Sequence, residues 1–489
     1  MPDIEEIYKL IPKITKLEKS MLLSAYEFAM KAHEGQKRNS GEPYFTHVFE
    51  TAKTLAGLGM DIKTVMAGFL HDTLEDTETT EEELEKEFSK EIVTLVNGVT
   101  KLGKLKYRGA ERHLESLRKF FLAITEDIRI LIIKLSDRLH NVRTLEHVPP
   151  EKQKRIALET IEIHARLADR IGMGRLKGDL EDAAFPYAYP KEYAEVEKLM
   201  KENSESNKKN LDEVSLLLQK ELANQKVKLI NIDQRIKHKY SLWCKLKVYE
   251  MDINKIHDII ALRVIVNSIE DCYRVLGIVH GTWRPLPGKI KDYIAIPKPN
   301  GYRSLHTTIF TGNGGIVEIQ IRTAEMHEEA AYGIAAHFVY KEKGSKNSEQ
   351  AETKNMEWVE QLKELHKVIG EPDKFMEHLK MDLFKDRIFI LTPKGDVIDL
   401  PEESSAIDFA YAIHSDIGDH AQNAIINGKM SPLITKLKNN DIVTIQVNKN
   451  AHPSSKWLDN TKTTMAKKHI NIYLRANSLL SKFLSFGKS

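Results

Sequence analysis

Apolar residues recur at three- and four-residue intervals from Met1 to about Pro190, as in Ile128 to Leu145, and this spacing predicts an all-α region. The aromatic, proline-punctuated stretch FPYAYPKEY predicts its end, and Glu192 to Ala223 reads as another amphipathic, highly charged helix able to connect domains. The period then changes. IIALRVIVN and IVEIQIRT are short β-branched runs bounded by RPLPGK, IPKPNGYR and FTGNGG, so a sheet with flanking helices is expected there. GSKNSEQAETKN opens a polar linker that ends in a helical pattern. Arg387 to Val447 alternates strand signals (RIFILT, DVIDL, DIVTIQV) with a short helix begun by Ser405 and Asp408 as a capping box, and the remainder is basic and helical. The expectation is a multidomain α+β chain. Its parts are an all-α domain over 1–195, a helical connector over 196–224, a mixed-sheet domain over 225–345, a linker helix over 346–385, a small β domain over 386–448 and a basic helical tail over 449–489.

Composition narrows the function. The 489 residues carry 73 Lys and Arg against 71 Asp and Glu, a net charge of +2, so any polyanion binding has to come from local clusters. Cys244 and Cys272 are too few for a disulfide framework or a cysteine-rich zinc module and suit a reducing cytosol. No run of 18 apolar residues occurs, and MPDIEEIYKL is acidic and polar where a secretory signal would be basic and then apolar. A cytoplasmic protein without a membrane span is expected.

The densest cluster of ligand-type residues is GFLHDTLEDT, where His71, Asp72, Glu75 and Asp76 sit in an otherwise apolar helical pattern. At 3.6 residues per turn they would share one face of a single helix. A second apolar pattern, IRILIIKLSDRLHNVRTL, carries Asp137, Asn141 and Thr144 as one polar stripe, and His47 opens a third. Uncompensated burial of such groups is costly, and a divalent cation is the simplest compensation for a set of imidazole and carboxylate donors. A lone histidine on an apolar helix is more often a satisfied core residue; the adjacent His-Asp pair with a second buried aspartate reverses that weighting. A metal there would activate water for phosphoester hydrolysis, with Glu75 and Asp76 handling protons. Arg38 and Ser40, in a Gly/Pro loop ahead of His47, are placed to grip a nucleotide, although a solvated basic turn explains them equally well.

The second constellation is cationic. IDQRIKHKYSLWCK holds Arg235, Lys237 and Lys245, and PGKIKDYIAIPKPNGYRSLH adds Lys291, Lys298, Asn300 and His306 around Tyr302. Such a run is usually a solvated face. Two acids change the weighting: Glu318 shares a strand face with Gln320 and Arg322, and Asp258 opens the strand run that carries Arg263. Acids among cations suit metal-assisted transfer of a phosphoryl-type group. The parity of Asp258 and Arg263 places Asp258 at the strand's lip or beside a bulge.

AHEGQKRNSGEPYFTH, HDTLEDT and KLSDRLHNVRTL resemble the HD-type hydrolase domain of the Rel/SpoT family, and the cationic segments resemble its nucleotidyltransferase-like synthetase domain. The resemblance implies a bifunctional (p)ppGpp enzyme, both GTP/GDP pyrophosphokinase and 3′-pyrophosphohydrolase. It implies Mn²⁺ on His47, His71, Asp72 and Asp137, catalysis by Glu75 and Asp76, and nucleotide contacts from Arg38, Ser40, Asn141 and Thr144. In the synthetase it implies Mg²⁺ on Asp258, with Glu318 binding the metal or activating the 3′-hydroxyl, and guanine stacked on Tyr302. Arg235 and Arg263 would hold adenine and phosphate, and Lys237, Lys245, Lys291, Lys298, Asn300 and His306 phosphates and ribose. Cys244 stands where members usually carry a basic residue, which would weaken one phosphate contact. The segment from Asp386 resembles the β-grasp TGS module, implying that His414 meets deacylated tRNA on the ribosome. The resemblance stops near Leu458, short of the zinc-finger-like and ACT modules that usually follow, which fits either a short form of the family or a piece of a longer chain. Three other readings stay open at this point: a hydrolase with a weak synthetase, a non-catalytic ribosome or tRNA binder, and a general nucleotide phosphohydrolase.

Overall fold

The computed structural model describes residues 2–103, 126–256, 258–298, 300–312, 315–336 and 387–486. The chain divides into two compact units, Met1–Val368 and Ile369–Ser489. The expected linker helix over 346–385 lies outside the described residues.

The first half of the larger unit is helical. Helix α1 (Lys16–Ala32) begins with Thr15 and Glu18 in a reciprocal capping box. Helices α2 (Phe45–Gly57) and α3 (Ile62–Leu70) pack closely because Gly68 lacks a side chain: a Cβ there would lie 3.2 Å from Ala52 Cα. That approach brings His47 on α2 near His71 at the end of α3. The single helix expected through GFLHDTLEDT is instead two, with α4 (Thr73–Asp76) following a break at His71 and Asp72. The cause is local. His71 Nδ1 bonds to Gly68 O at 2.8 Å and Thr73 Oγ1 donates to Leu70 O at 2.7 Å, so side chains engage carbonyls of the last turn. Helix α5 (Ile128–Arg143), capped by Asp127, presents the stripe that carries Asp137 and Asn141.

Helix α6 (Gly174–Ala188) runs through Pro186 and ends at Tyr189, within the stretch FPYAYPKEY expected to close the helical region. Pro190 then starts the 35-residue α7 (Pro190–Asn224) at a position where its missing N–H costs nothing. Expected as a connector, α7 also forms a layer of the next domain: Leu211, Val214, Leu218 and Leu222 share one core with Leu262, Val264, Ile319 and Ile321. That domain's sheet is ordered β1-β2-β5-β4-β3, from β1 (Leu229–Ile236), β2 (Ile260–Val266), β3 (Lys291–Asp292), β4 (Leu305–Phe310) and β5 (Ile316–Thr323). Only β2 and β5 are parallel, so the sheet is mixed. Helices α8 (Lys239–Val248), α9 (Ile269–Thr282) and α10 (Ala324–Tyr332) flank it.

The smaller unit pairs β6 (Arg387–Leu391) with β7 (Val397–Pro401) and orders β8 (Ala421–Ile426), β9 (Lys429–Ser431) and β10 (Val443–Val447) as β10-β8-β9. Helix α11 (Ala406–Ile413) starts at the Ser405–Asp408 capping box. Buried Asp408 also accepts from the amides of Lys462 and Thr463 at 2.9 and 2.7 Å, which ties the start of α12 (Thr464–Phe486) to this core.

Candidate active sites

Four helices of the larger unit bring the first set together. His47, His71 and Asp137 each offer a ligand atom, and these atoms lie within 4.8 Å of one another. Asp72 completes the group, with Oδ2 at 3.3 Å from His47 Nε2 and 3.2 Å from His71 Nε2. Burial alone would push the His71 imidazole down, but Asp72 and Asp137 hold it up at about 9, which measures how much negative charge converges here. Burial would likewise raise Asp137, yet Lys134 at 2.7 Å and the two imidazoles keep it well below the usual carboxylate range. His71 Nε2 is buried and, although Asp72 Oδ2 lies 3.2 Å away, makes no well-aligned hydrogen bond among the described residues. An orphaned imidazole nitrogen aimed at two carboxylates fits a divalent cation.

Around this core, Arg38 donates to Asn141 Oδ1 at 2.8 Å and to Thr144 Oγ1 at 3.3 Å, so three of the expected nucleotide contacts form one patch. Ser40 stays apart from it; among the described residues its bonds are within its loop, to Glu42 at 3.4 Å. Burial raises the Glu75 carboxyl, opposed by Lys134 and reinforced by Asp72, Asp76 and Asp137. Asp76 accepts from Tyr44 Oη at 2.6 Å.

The second set lines one cavity of about 780 Å³. On β5 the alternation buries Val317, Ile319 and Ile321 in the core and turns Glu318, Gln320 and Arg322 to the cavity. Asp258 lies two residues ahead of β2, at its lip, with Lys237 and Lys245 each 2.7 Å from one of its oxygens. Burial raises this carboxyl, but the two lysines outweigh it and hold it at about 2. Tyr302 Oη lies 2.9 Å from His306 Nε2, and His306 Nδ1 lies 3.1 Å from Glu318 Oε1, so one chain of bonds links ring, imidazole and acid. Lys298 sits over Tyr293 and Tyr302 at 4.8 and 5.2 Å. Arg235, Lys291 and Asn300 also line the cavity, and Arg263 is paired to Asp233 at 2.7 Å. Cys244 is not among the lining residues; it packs against the core of Phe185, Leu242 and Trp243, so the expected loss of a phosphate contact does not follow from its position. In the smaller unit, His414 is exposed and its Nδ1 accepts from the Asp416 amide at 3.2 Å.

Three family descriptions match the chain: an HD domain over residues 25–174, the region found in RelA / SpoT proteins over 234–345, and a TGS domain over 388–447. The guanosine-3′,5′-bis(diphosphate) 3′-pyrophosphohydrolase of Aquifex aeolicus (strain VF5) is 45% identical over 469 residues, covering 95% of this chain and 66% of that protein. The chain belongs to the RelA/SpoT family. A GTP pyrophosphokinase of Myxococcus xanthus is 43% identical over 459 residues (93% of this chain, 60% of that one). The bifunctional (p)ppGpp synthase/hydrolase SpoT of Escherichia coli (strain K12) is 41% identical over 455 (93% and 64%). The chain therefore spans 60 to 66% of the length of these relatives. The RelA/SpoT and HD domains imply divalent metals, and the donor set of the helical half fits one.

Sequence reasoning missed several residues of this RelA/SpoT-family chain. Tyr44 bridges Asp72 and Asp76 at 2.9 and 2.6 Å. His140 Nδ1 lies 2.8 Å from His47 Nδ1, and burial, with His47 and Arg38 beside it, pushes its imidazole down to about 3. Lys134 was legible as the i−3 partner of Asp137, whereas Tyr44 and His140 act across helices that no sequence pattern pairs. Helix α6 contributes Lys177, Gly178 and Glu181 to the cavity of the sheet domain, although it belongs to the helical half.

Proposed function

We propose that the chain both makes and degrades (p)ppGpp: it transfers the β,γ-pyrophosphate of ATP to the 3′-hydroxyl of GDP or GTP, and hydrolyses the product back to GDP or GTP and pyrophosphate. The observation that carries this reading is that one unit holds two separate acid-containing sites, one built for a metal and one cationic.

In the hydrolase site His47, His71, Asp72 and Asp137 would hold the ion, and their mixed N and O donors suit Mn²⁺. When bound, such an ion lowers the pKa of water and polarises a phosphoryl oxygen. Glu75, raised by burial, accepts and returns the proton, while Tyr44 fixes Asp76 beside it. The Arg38, Asn141 and Thr144 patch takes the nucleotide, with Ser40 on its loop.

In the synthetase site Asp258 and Glu318 would hold Mg²⁺. Although burial raises Glu318, His306 keeps it ionised, so it can accept the 3′-hydroxyl proton. The 3′-oxygen then bonds to the β-phosphorus as the bond from that phosphorus to the α-phosphate oxygen breaks, and AMP leaves. Guanine stacks on Tyr302; Arg235 and Arg263 take the donor's adenine and phosphate. Lys237, Lys245, Lys291, Lys298, Asn300 and His306 bind phosphates and ribose. In the smaller unit, exposed His414 supports a contact with deacylated tRNA, and thereby with the ribosome. Among the described residues no helix is long and apolar enough to cross a membrane, consistent with work in the cytoplasm.

Two assays test this: ATP with GDP, and ppGpp with Mn²⁺. His71→Ala or Asp72→Ala should lower hydrolysis by about 10²-fold or more and spare synthesis; Asp258→Ala or Glu318→Ala should do the reverse. Hydrolysis undiminished in EDTA, or synthesis unchanged in Asp258→Ala, would contradict the assignment.

A further inference from the structure

Polar atoms without partners gather on one face of the synthetase sheet. Arg263 Nε, Gln320 Oε1, Arg322 Nε and His327 Nδ1 are buried, lack a hydrogen bond among the described residues, and all belong to residues that line the same cavity. The Gln320 amide has its orientation dictated, since Nε2 must donate to Glu318 Oε1 at 2.8 Å, and its oxygen is left facing the cavity region without a donor. Arg263 at least has a counter-charge, Asp233 Oδ1 at 2.7 Å.

Arg322 has none. It is 5% exposed, and its Nε is buried without a hydrogen-bond partner among the described residues. Burial, opposed by Tyr302 and reinforced by Arg263 and Arg235, pushes it down to about 10, which still leaves it cationic at neutral pH. Asp233, the carboxylate that also acts on it, is already engaged by Arg263. A buried guanidinium with two others nearby and no anion of its own destabilises the empty fold. Such an arrangement is explained when the missing charge arrives with a ligand.

We propose that Arg322 is a phosphate-binding residue of this cavity, taking from a bound nucleotide the counter-charge that the protein withholds. The proposal rests on the synthetase reading above. Arg322 lies four residues beyond Glu318 on the same strand face, and both Tyr302 and Arg263 act on it, so the phosphate belongs either to the guanine nucleotide or to ATP. The planar fork of the guanidinium suits two phosphate oxygens at once.

The test uses the full chain, titrated by calorimetry with GDP and, separately, with a non-hydrolysable ATP analogue, alongside thermal unfolding of the free protein. Arg322→Gln should bind one of the two nucleotides at least tenfold more weakly, and the one affected names the source of the phosphate. Arg322→Lys should recover part of the loss. The free Arg322→Gln protein should melt at the wild-type temperature or above it, because an unpaired buried charge has gone. Wild-type affinity of Arg322→Gln for both nucleotides would overturn the proposal, as would a lowered melting temperature with undiminished binding. Wild-type protein that binds neither nucleotide would bring down the synthetase reading itself, and this proposal with it.

Discussion

The tautomer of His47 follows from its neighbours. Its Nε2 faces Asp72 and Asp137 at 3.3 Å each, so a cation held there needs the Nε2 lone pair and the ring proton must sit on Nδ1. Among the described residues that proton has one acceptor in reach, His140 Nδ1 at 2.8 Å, and His140 can accept only as the neutral imidazole that its burial favours. His140 is thus expected to orient a ligand it never replaces. His140→Leu should weaken Mn²⁺ binding by about 10- to 100-fold, read by calorimetric titration of the metal, while His140→Gln, whose amide oxygen can accept, should recover part of the loss. Equal affinities in all three proteins would mean that His140 only fills space. At this scale the sequence was readable where chemistry and periodicity coincide. His47, His71, Asp72 and Asp137 are ligand types on apolar patterns, and Glu318 falls on the polar parity of an obvious strand. It was unreadable where a contact crosses elements: nothing in the chain's order says that His140 meets His47, 93 positions away.

Elements impose their own constraints, and α6 shows them best. Asp182 on this helix accepts from the Tyr240 amide at 3.0 Å and lies 2.9 Å from His238 Nδ1, so a carboxylate from the helical half caps α8 of the sheet domain. Gly178 makes room for the imidazole, since a Cβ there would sit 2.2 Å from His238 Nε2. Asp182 raises the His238 pKa above 6.5, against burial and Arg235 and with help from Asp179. A folded value above the unfolded one means that the protonated form favours the fold: the contribution is complete below about pH 6.5 and fades as pH rises through the folded value. Thermal unfolding should therefore show stability falling over that window in the wild type. In Asp182→Asn the fall should be smaller, because the His238 part of it is gone while that of His71 remains, and the His238 resonances should titrate at lower pH by NMR; an unchanged titration would rule the pair out. Strand patterns and most helices were legible because periods of two and 3.6 report burial directly. The break at His71 was not, because it depends on side chains taking over carbonyls.

If the larger unit carries the two opposed activities proposed above, they would consume ATP to no end unless each site senses the other. The sequence suggested the long α7 as the element of communication, but the direct route in the fold is α6. One part of it packs Ala184 and Ala188 against Val142 of α5, the helix that carries Asp137 and Asn141. Elsewhere it caps α8 through Asp182, lines the nucleotide cavity with Lys177 and Glu181, and brings Gly174 so close to α10 that a Cβ would lie 2.7 Å from Ala330 O. Any shift of α6 that one ligand favours must be felt at the other site, and linkage makes that influence equal in both directions as a binding free energy. A non-hydrolysable ATP analogue should weaken binding of a ppGpp analogue to the hydrolase site by some factor, on the order of 5- to 150-fold for couplings of this kind, and the ppGpp analogue should weaken the ATP analogue by the same factor. Calorimetric titration of each with and without the other gives both numbers, with Asp258→Ala as the control that empties the synthetase arm. Gly174→Ala, which wedges α6 away from α10, should shrink both factors together. Identical affinities with and without the second ligand would mean that the two sites, although they share a helix, act independently.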